Sequence, residues 1–438
     1  MDIDFHSDYI AAYMRAVENT ESPRLFHLWA SISAVACAIG RKAWVPLGMV
    51  GRVFPNHFIL LVGPPAVRKS VSLNIAYRLV KESTNVRFAP TDTGGQRQGL
   101  IRAMSRGGLI EELNDLVDAG INDPFQGLQP ADIEVMEKLN ESMPDTVNRH
   151  VIAAYWTELS GALGQANYSM MDFLVQAYDG DDYRYETKHG ETTLNETLIN
   201  ILACTTPSSM SVTMPPMAEG HGFLSRFILV HGDENYQNVV WPELPNSDLL
   251  MRIKDTLSFV NKNLEGPATV DEEGKRYAES LYTTQLEITD QRFAHYKSRR
   301  FTHLLKLSLV LAASRRSLTI TKKDLEVAHG ILRITERSMP DALGQFGLSP
   351  LAKIKQGILE FLRSAGGPVP VQTIHAAFHK DARPQDILDA LSDLLVGDAI
   401  LRTSTSTGTS LYSAKRNKRE TINSEMAHFL IERKDGKK

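Results

Sequence analysis

Residues 57–79 read HFILLVGPPAVRKSVSLNIAYRL. Phe58, Ile59, Leu60, Leu61 and Val62 make a short continuous apolar run, the pattern of a buried parallel strand, and Val71, Ile75 and Leu79 recur at helical spacing. Between them stands Gly63-Pro64-Pro65-Ala66-Val67-Arg68-Lys69-Ser70. Strand, tight loop, Lys-Ser and helix is the order of a phosphate-binding loop, whose backbone N–H groups and following helix N-terminus cradle a polyphosphate. In that arrangement Lys69 reaches the β- and γ-phosphates and the Ser70 hydroxyl ligates Mg²⁺. The motif GxxxxGK[ST] has glycine where this chain has Arg68, so a positive φ at that residue carries a steric cost. The expectation is an α/β fold organised around this loop.

Composition sets the frame. The chain has 438 residues, 42% hydrophobic and 23% charged, with a net charge of −4. That length suggests roughly two or three soluble domains. The charge gives no global attraction to nucleic acid, so any such binding must come from local basic features. Cys37 and Cys204 are far apart and lack metal-type spacing, which argues for a reducing compartment and against a disulfide framework or zinc site. The N-terminal residues carry no signal-peptide pattern, and no apolar run approaches the roughly 20 residues of a membrane span. A cytoplasmic protein with no membrane partner is expected.

Residues 1–50 read as a helical N-terminal segment. Its two helices, 5–19 and 24–39, are broken at Glu21-Ser22-Pro23, and the second is apolar around most of its circumference. After the loop helix, Asn85 to Pro90 reads as a second strand, and Thr91-Asp92-Thr93 as the cap of a helix beginning near Gly95-Gln96. Residues 107–146 hold ten acidic side chains and one basic one, a solvated acidic insertion that would repel a phosphate backbone. Arg149 to Ser160 is the next apolar strand and ends in Thr157-Glu158. Glu158 suits the acidic residue that holds the Mg²⁺ shell and orients an attacking water, at the tip of a strand expected beside the loop strand. Thr157 stands where a second acid is usual, and its hydroxyl can hold a metal-bound water.

Residues 181–195 alternate on both sides of Lys188-His189-Gly190, a hairpin signature. Leu198 to Cys204 is a further buried strand ending in Thr205-Thr206, either of which can sense a γ-phosphate. Gly222 to Val230 leads into another strand, with Arg226 just before it. From 246 to 345 the chain reads as a helical lid following a core over 51–245, with Arg299 and Arg300 at the start of its most apolar helix. Beyond Pro350, residues 350–415 follow the order of a winged-helix domain. Its third helix carries three Asp and no Lys or Arg, which disfavours major-groove reading. Residues 416–438 form a basic tail.

With these pieces in place, residues of roughly 20–340 resemble the phage- and plasmid-encoded helicase-like P-loop proteins related to superfamily 3 and MCM helicases of the AAA+ class. The likeness rests on the order apolar prefix, GPPAVRKS, YWTE, YRYETKHGETTL, NILACTT, FLSRF and helical lid. It implies an AAA+-type core, ATP and Mg²⁺ as cofactors, and a ring, a hexamer, that translocates on single-stranded or forked DNA in replication of a phage or mobile element, with a primase or initiator as further partner. By the same likeness Arg226 is an arginine finger for the neighbouring subunit, Thr205 or Thr206 the first sensor and Arg300 the second. The hairpin projects into a central channel, where Lys188 and His189, with Arg184 behind them, track the DNA backbone. Arg68 and Thr157 favour the alternative, a degenerate nucleotide-binding initiator or helicase-loader scaffold with little hydrolysis.

Overall fold

The computed structural model describes residues 8–91, 97–105, 151–164, 167–187, 190–214, 222–283, 290–343, 350–404 and 408–415. The acidic insertion, the expected cap at residues 91–93 beyond Thr91, the hairpin tip and the basic tail therefore lie outside the described residues. The chain divides into two compact units, residues 1–342 and 343–438.

The first unit opens with helices α1 (Tyr9–Ala16) and α2 (Arg24–Ile39), then strands β1 (Ala43–Pro46), β2 (Arg52–Val53) and β3 (Phe58–Val62). Helices α3 (Lys69–Ser83) and α4 (Arg97–Ser105) follow. Strand β4 (Val151–Trp156), helices α5 (Leu159–Leu163) and α6 (Tyr168–Asp179), strands β5 (Tyr183–Thr187), β6 (Gly190–Leu194) and β7 (Leu198–Thr205), helix α7 (Pro207–Thr213) and strand β8 (Phe227–His231) complete the α/β part. Helices α8 (Ser247–Asn263), α9 (Glu272–Thr283), α10 (Ala294–Ser314) and α11 (Lys322–Leu343) close it, with short strands β9 (Gly266–Pro267), β10 (Thr269–Val270) and β11 (Thr319–Ile320) between them.

The central sheet is parallel, in the order β4-β7-β3-β8. Every residue of β3 and β7 is buried, which is why their sequences run apolar without alternation. The register pairs Val62 with Thr205 and with His231, and Trp156 with Ala203. One sequence expectation is corrected here: the strand that ends toward Glu158 is not the neighbour of β3, because β7 lies between them. A second concerns residues 85–90, which contribute a single bridge, Phe88 to Ala153, rather than a strand. Of that stretch only Ala89 is buried, so it offers no continuous apolar face to pair.

Helix α2 is buried at every position except Arg24 and packs on α3, α8 and α10. The α10 stretch from His303 to Ser314 is buried without interruption, and Trp29 of α2 donates to the Thr335 hydroxyl of α11 at 2.9 Å. The N-terminal helices and the expected lid thus share one hydrophobic interior with the sheet. Among the described residues no helix is long and apolar enough to cross a membrane.

In the second unit α12 (Pro350–Ala365), α13 (Val371–Phe378) and α14 (Pro384–Val396) surround a core of Ile358, Leu362, Ile374, Ile387 and Leu391. Strands β12 (Val369–Pro370), β13 (Ile400–Ser404) and β14 (Ser410–Ala414) form an antiparallel sheet in the order β12-β14-β13.

Candidate nucleotide site

The loop between β3 and α3 begins at the C-terminal edge of the parallel sheet, where open α/β sheets bind ligands. Gly63 is required by a close approach: a Cβ there would lie 2.2 Å from the carbonyl oxygen of Gly232. Val67 is buried and anchors the middle of the loop, while Pro65, Ala66 and Arg68 face solvent. Ala66 and Arg68 both adopt positive φ, +69° and +58°, the class of backbone that builds anion-binding concavities. The cost foreseen at Arg68 is therefore real, of order 1–2 kcal/mol for a non-glycine residue. A compensating partner is present, since Arg68 Nε donates to Glu21 Oε2 at 2.6 Å.

Lys69 opens α3 and folds back over the loop, donating from Nζ to the carbonyls of Gly63 at 2.7 Å and Pro64 at 2.8 Å. Partial burial lowers its ammonium pKa below the ordinary lysine value, while the nearby Cys204 and Glu158 act in the opposite direction. Ser70 is exposed in the first turn of α3. That turn has no side-chain cap and no acidic residue, so the positive end of the helix dipole is left for an anion, although the Val71 N–H already donates to the Arg68 carbonyl at 3.1 Å.

Thr157 and Glu158 follow β4 and are exposed. Because Trp156 pairs with Ala203, the register carries Glu158 opposite Thr205 at the end of β7. The Thr205 hydroxyl donates to Glu158 Oε1 at 3.3 Å, and the Gly63 N–H reaches the Thr205 carbonyl at 3.4 Å. Thr206 has a different task, capping α7 by accepting from the Ser209 N–H at 3.1 Å. Gly63, Lys69, Thr205 and Glu158 thus gather at one sheet edge, and of the two threonines it is Thr205 that faces the acid.

The arginines stand elsewhere. Arg226 is 5% exposed and lies inside its own chain. Its guanidinium pairs with Asp179 at the end of α6, donates to the Gly222 carbonyl at 2.8 Å, and lies 5.7 Å from the Tyr178 ring. The carboxylate that neutralises it is thus intramolecular. Arg300 is 4% exposed and forms a bidentate pair with Glu336 of α11 at 2.6 and 3.1 Å, a tie within the helical layer rather than toward the loop. It is Arg299 that leans on Asp179, at 3.4 Å. Beside them Lys306 donates to Asn56 Oδ1 at 2.6 Å and lies 4.1 Å from the Tyr178 ring, and burial pulls its ammonium down to about 7.

The β5–β6 hairpin is antiparallel, and its register pairs Thr187 with Gly190 and Arg184 with Thr193. Gly190 is therefore the first residue of β6 rather than the tip. Lys188 and His189 lie outside the described residues, and Arg184 is exposed. The hairpin base is held by the Tyr183 hydroxyl, which accepts from Arg97 at 2.8 Å, and by edge-to-face contact of Tyr183 with Phe173.

Two participants were hidden from sequence reading. Nothing near Arg68 in the sequence identifies Glu21 as its partner; likewise Asp179 carries no motif. An open groove lined by Glu82, Asn85, Met251, Lys254 and Asn261 lies at the far end of α3, about 20 Å of helix away from the loop, and offers none of the chemistry gathered there. Compared with models of protein families and with curated proteins, the chain matches none.

Proposed function

We propose that this chain is an ATPase that uses ATP and Mg²⁺, acting as a ring-forming DNA helicase or translocase in replication of a phage or mobile element. The observation that carries the proposal is the hydrogen bond from Thr205 to Glu158, set one strand away from the Gly63–Lys69 loop. It aligns an acid, a polar sensor and a phosphate cradle along one sheet edge. In this reading the loop N–H groups and the α3 N-terminus bind the phosphates. Lys69 leaves the carbonyls of Gly63 and Pro64 to meet the β- and γ-phosphates, and Glu158 orients and deprotonates the attacking water while Thr205 fixes its carboxylate.

The exposed hydroxyl of Ser70 and the exposed carboxylate of Glu158 fit Mg²⁺, which binds through one or two protein oxygens together with phosphates and waters. When bound, the ion neutralises charge developing on the phosphate oxygens. The parallel sheet with its helical layer is compatible with an AAA+-type core, and the three-helix unit with its antiparallel sheet is compatible with a winged-helix module. The hairpin inserted between β4 and β7 supports DNA engagement through Lys188, His189 and Arg184.

The rival reading, a nucleotide-binding initiator or loader scaffold with little turnover, draws on a specific observation: Arg226 and Arg300 are both sequestered in intramolecular ion pairs. The two readings separate on DNA-stimulated turnover. The helicase reading expects ATP hydrolysis that rises with single-stranded DNA. It expects Lys188→Ala with His189→Ala to abolish that rise and the unwinding of forked DNA while leaving basal hydrolysis near normal. Wild-type unwinding by the double variant would remove the hairpin from the mechanism, and absence of DNA stimulation in the parent protein would favour the scaffold.

A further inference from the structure

Arg68 occupies the left-handed region at φ +58° and ψ 29°, as the residue that leads into α3. A residue with a Cβ enters that region only at a cost of about 1–2 kcal/mol, and at Arg68 a contact from outside the loop is present to offset it. The corner between α1 and α2 supplies it. Glu21 Oε2 accepts from Arg68 Nε at 2.6 Å, and the other carboxylate oxygen, Oε1, accepts from the Val239 N–H at 3.2 Å. The Arg68 head is half exposed whereas the Glu21 side chain is 19% exposed, so the acid is the fixed member of the pair.

The corner that carries Glu21 is itself braced from both sides. The Tyr236 N–H donates to the Glu21 carbonyl at 2.9 Å, and Gln237 Nε2 donates to the carbonyls of Glu18 at 2.7 Å and Thr20 at 3.2 Å. The Arg24 guanidinium lies 5.2 Å from the Tyr236 ring. At the start of the same segment Gly232 donates to the Val62 carbonyl at 3.0 Å and is so close to Pro23 and Phe26 that a Cβ would come within 2.9 Å of the Phe26 ring. The segment after β8, the α1–α2 corner and the phosphate loop are thereby joined through one carboxylate.

We propose that Glu21 is a positioning residue for the phosphate loop: it holds Arg68 in the left-handed conformation that a glycine would adopt unaided, and so keeps the loop in its phosphate-accepting shape. The proposal rests on the nucleotide-binding reading given above, and it adds a role for the N-terminal corner, 47 residues upstream of the loop residue it holds. Glu21 does not touch the nucleotide in this account. It acts through Arg68, so its importance must vanish once residue 68 no longer needs holding.

The test is a double-mutant cycle on the full chain with Glu21→Ala, Arg68→Gly and the two combined, read by equilibrium binding of a fluorescent ATP analogue with Mg²⁺. Glu21→Ala alone is expected to weaken binding about tenfold, the scale of a released left-handed residue. In the Arg68→Gly background the same change is expected to alter binding by less than about twofold, because glycine adopts the conformation freely. Equal weakening in both backgrounds, or no weakening in either, would overturn the proposal.

A urea-unfolding cycle on the same four proteins without nucleotide keeps the test independent of the functional reading. If the parent protein binds no ATP analogue, that reading fails. The tether is then judged on whether the midpoint shifts of the two substitutions are non-additive, as it requires, or simply add, as they must if the pair is inert.

Discussion

The Thr205 hydroxyl donates to Glu158 Oε1 across 3.3 Å, joining the ends of two adjacent parallel strands beside the Gly63–Lys69 loop. In the proposed ATPase this contact orients the catalytic carboxylate. Thr205→Ala should therefore slow ATP hydrolysis by about 10- to 100-fold, the scale of a small misplacement of a reacting group, with ATP affinity little changed. Thr205→Ser retains the hydroxyl and should recover most of the rate. Steady-state kinetics on the two variants decide the matter, and equal loss in both would assign Thr205 to packing.

Arg226 is expected to matter first for stability. Its buried guanidinium is neutralised by Asp179, which is 36% exposed on its side chain. Asp179→Ala should destabilise the first unit by about 1–3 kcal/mol, the cost of leaving a buried donor unpaired, discounted for the solvent that reaches the acid. Chemical denaturation measures this directly. If instead Arg226→Ala left stability unchanged and depressed hydrolysis about 10³-fold or more, with activity restored on mixing with Lys69→Ala subunits, a finger acting between subunits would replace the internal tie.

Buried histidines give the protein an acid-side weakness. Burial lowers His27 and His303 to about 3 and His57 well below its usual value. The folded state therefore binds fewer protons than the unfolded chain over this range. The stability these neutral rings permit is fully present above about 6.5 and is lost as pH falls toward about 3. Glu21 adds to the same trend: Arg68 and the Val239 N–H lower its carboxyl below the ordinary range, so its contribution also fades as pH falls through that lowered value. Lys306, pulled down to about 7 by burial, has the same sign in a higher window, with stability rising from about pH 7 toward the ordinary lysine value. Urea midpoints across pH 4 to 10 should follow both slopes; a flat profile below pH 6.5 would contradict the buried, neutral assignment.

Much of the α/β part was legible because its signals are local. The apolar run of β3, the spacing of Val71, Ile75 and Leu79, and the alternation of β5 and β6 each lie within a dozen residues. What escaped depends on pairing across the chain. That β7 separates β3 from β4, and that Thr205 rather than Thr206 faces Glu158, follow from the register of strands 42 or more residues apart. The burial of Arg226 and Arg300 could not be read from their neighbours, because Asp179 and Glu336 meet them only after α6 and α11 have packed. The positive φ at Arg68 was foreseeable from the missing glycine; its answer, Glu21, was not, because a carboxylate in a helix–helix corner has no sequence signature.

The central claim is that this loop and sheet edge turn over ATP, and it is tested most directly by measuring ATP binding and hydrolysis side by side for the parent protein, Lys69→Ala and Glu158→Gln. The account predicts that Lys69→Ala loses both, and that Glu158→Gln binds ATP with near-parent affinity yet hydrolyses it about 10²–10⁴-fold more slowly. Hydrolysis by Glu158→Gln at the parent rate, or a parent protein that neither binds nor hydrolyses ATP, would contradict it.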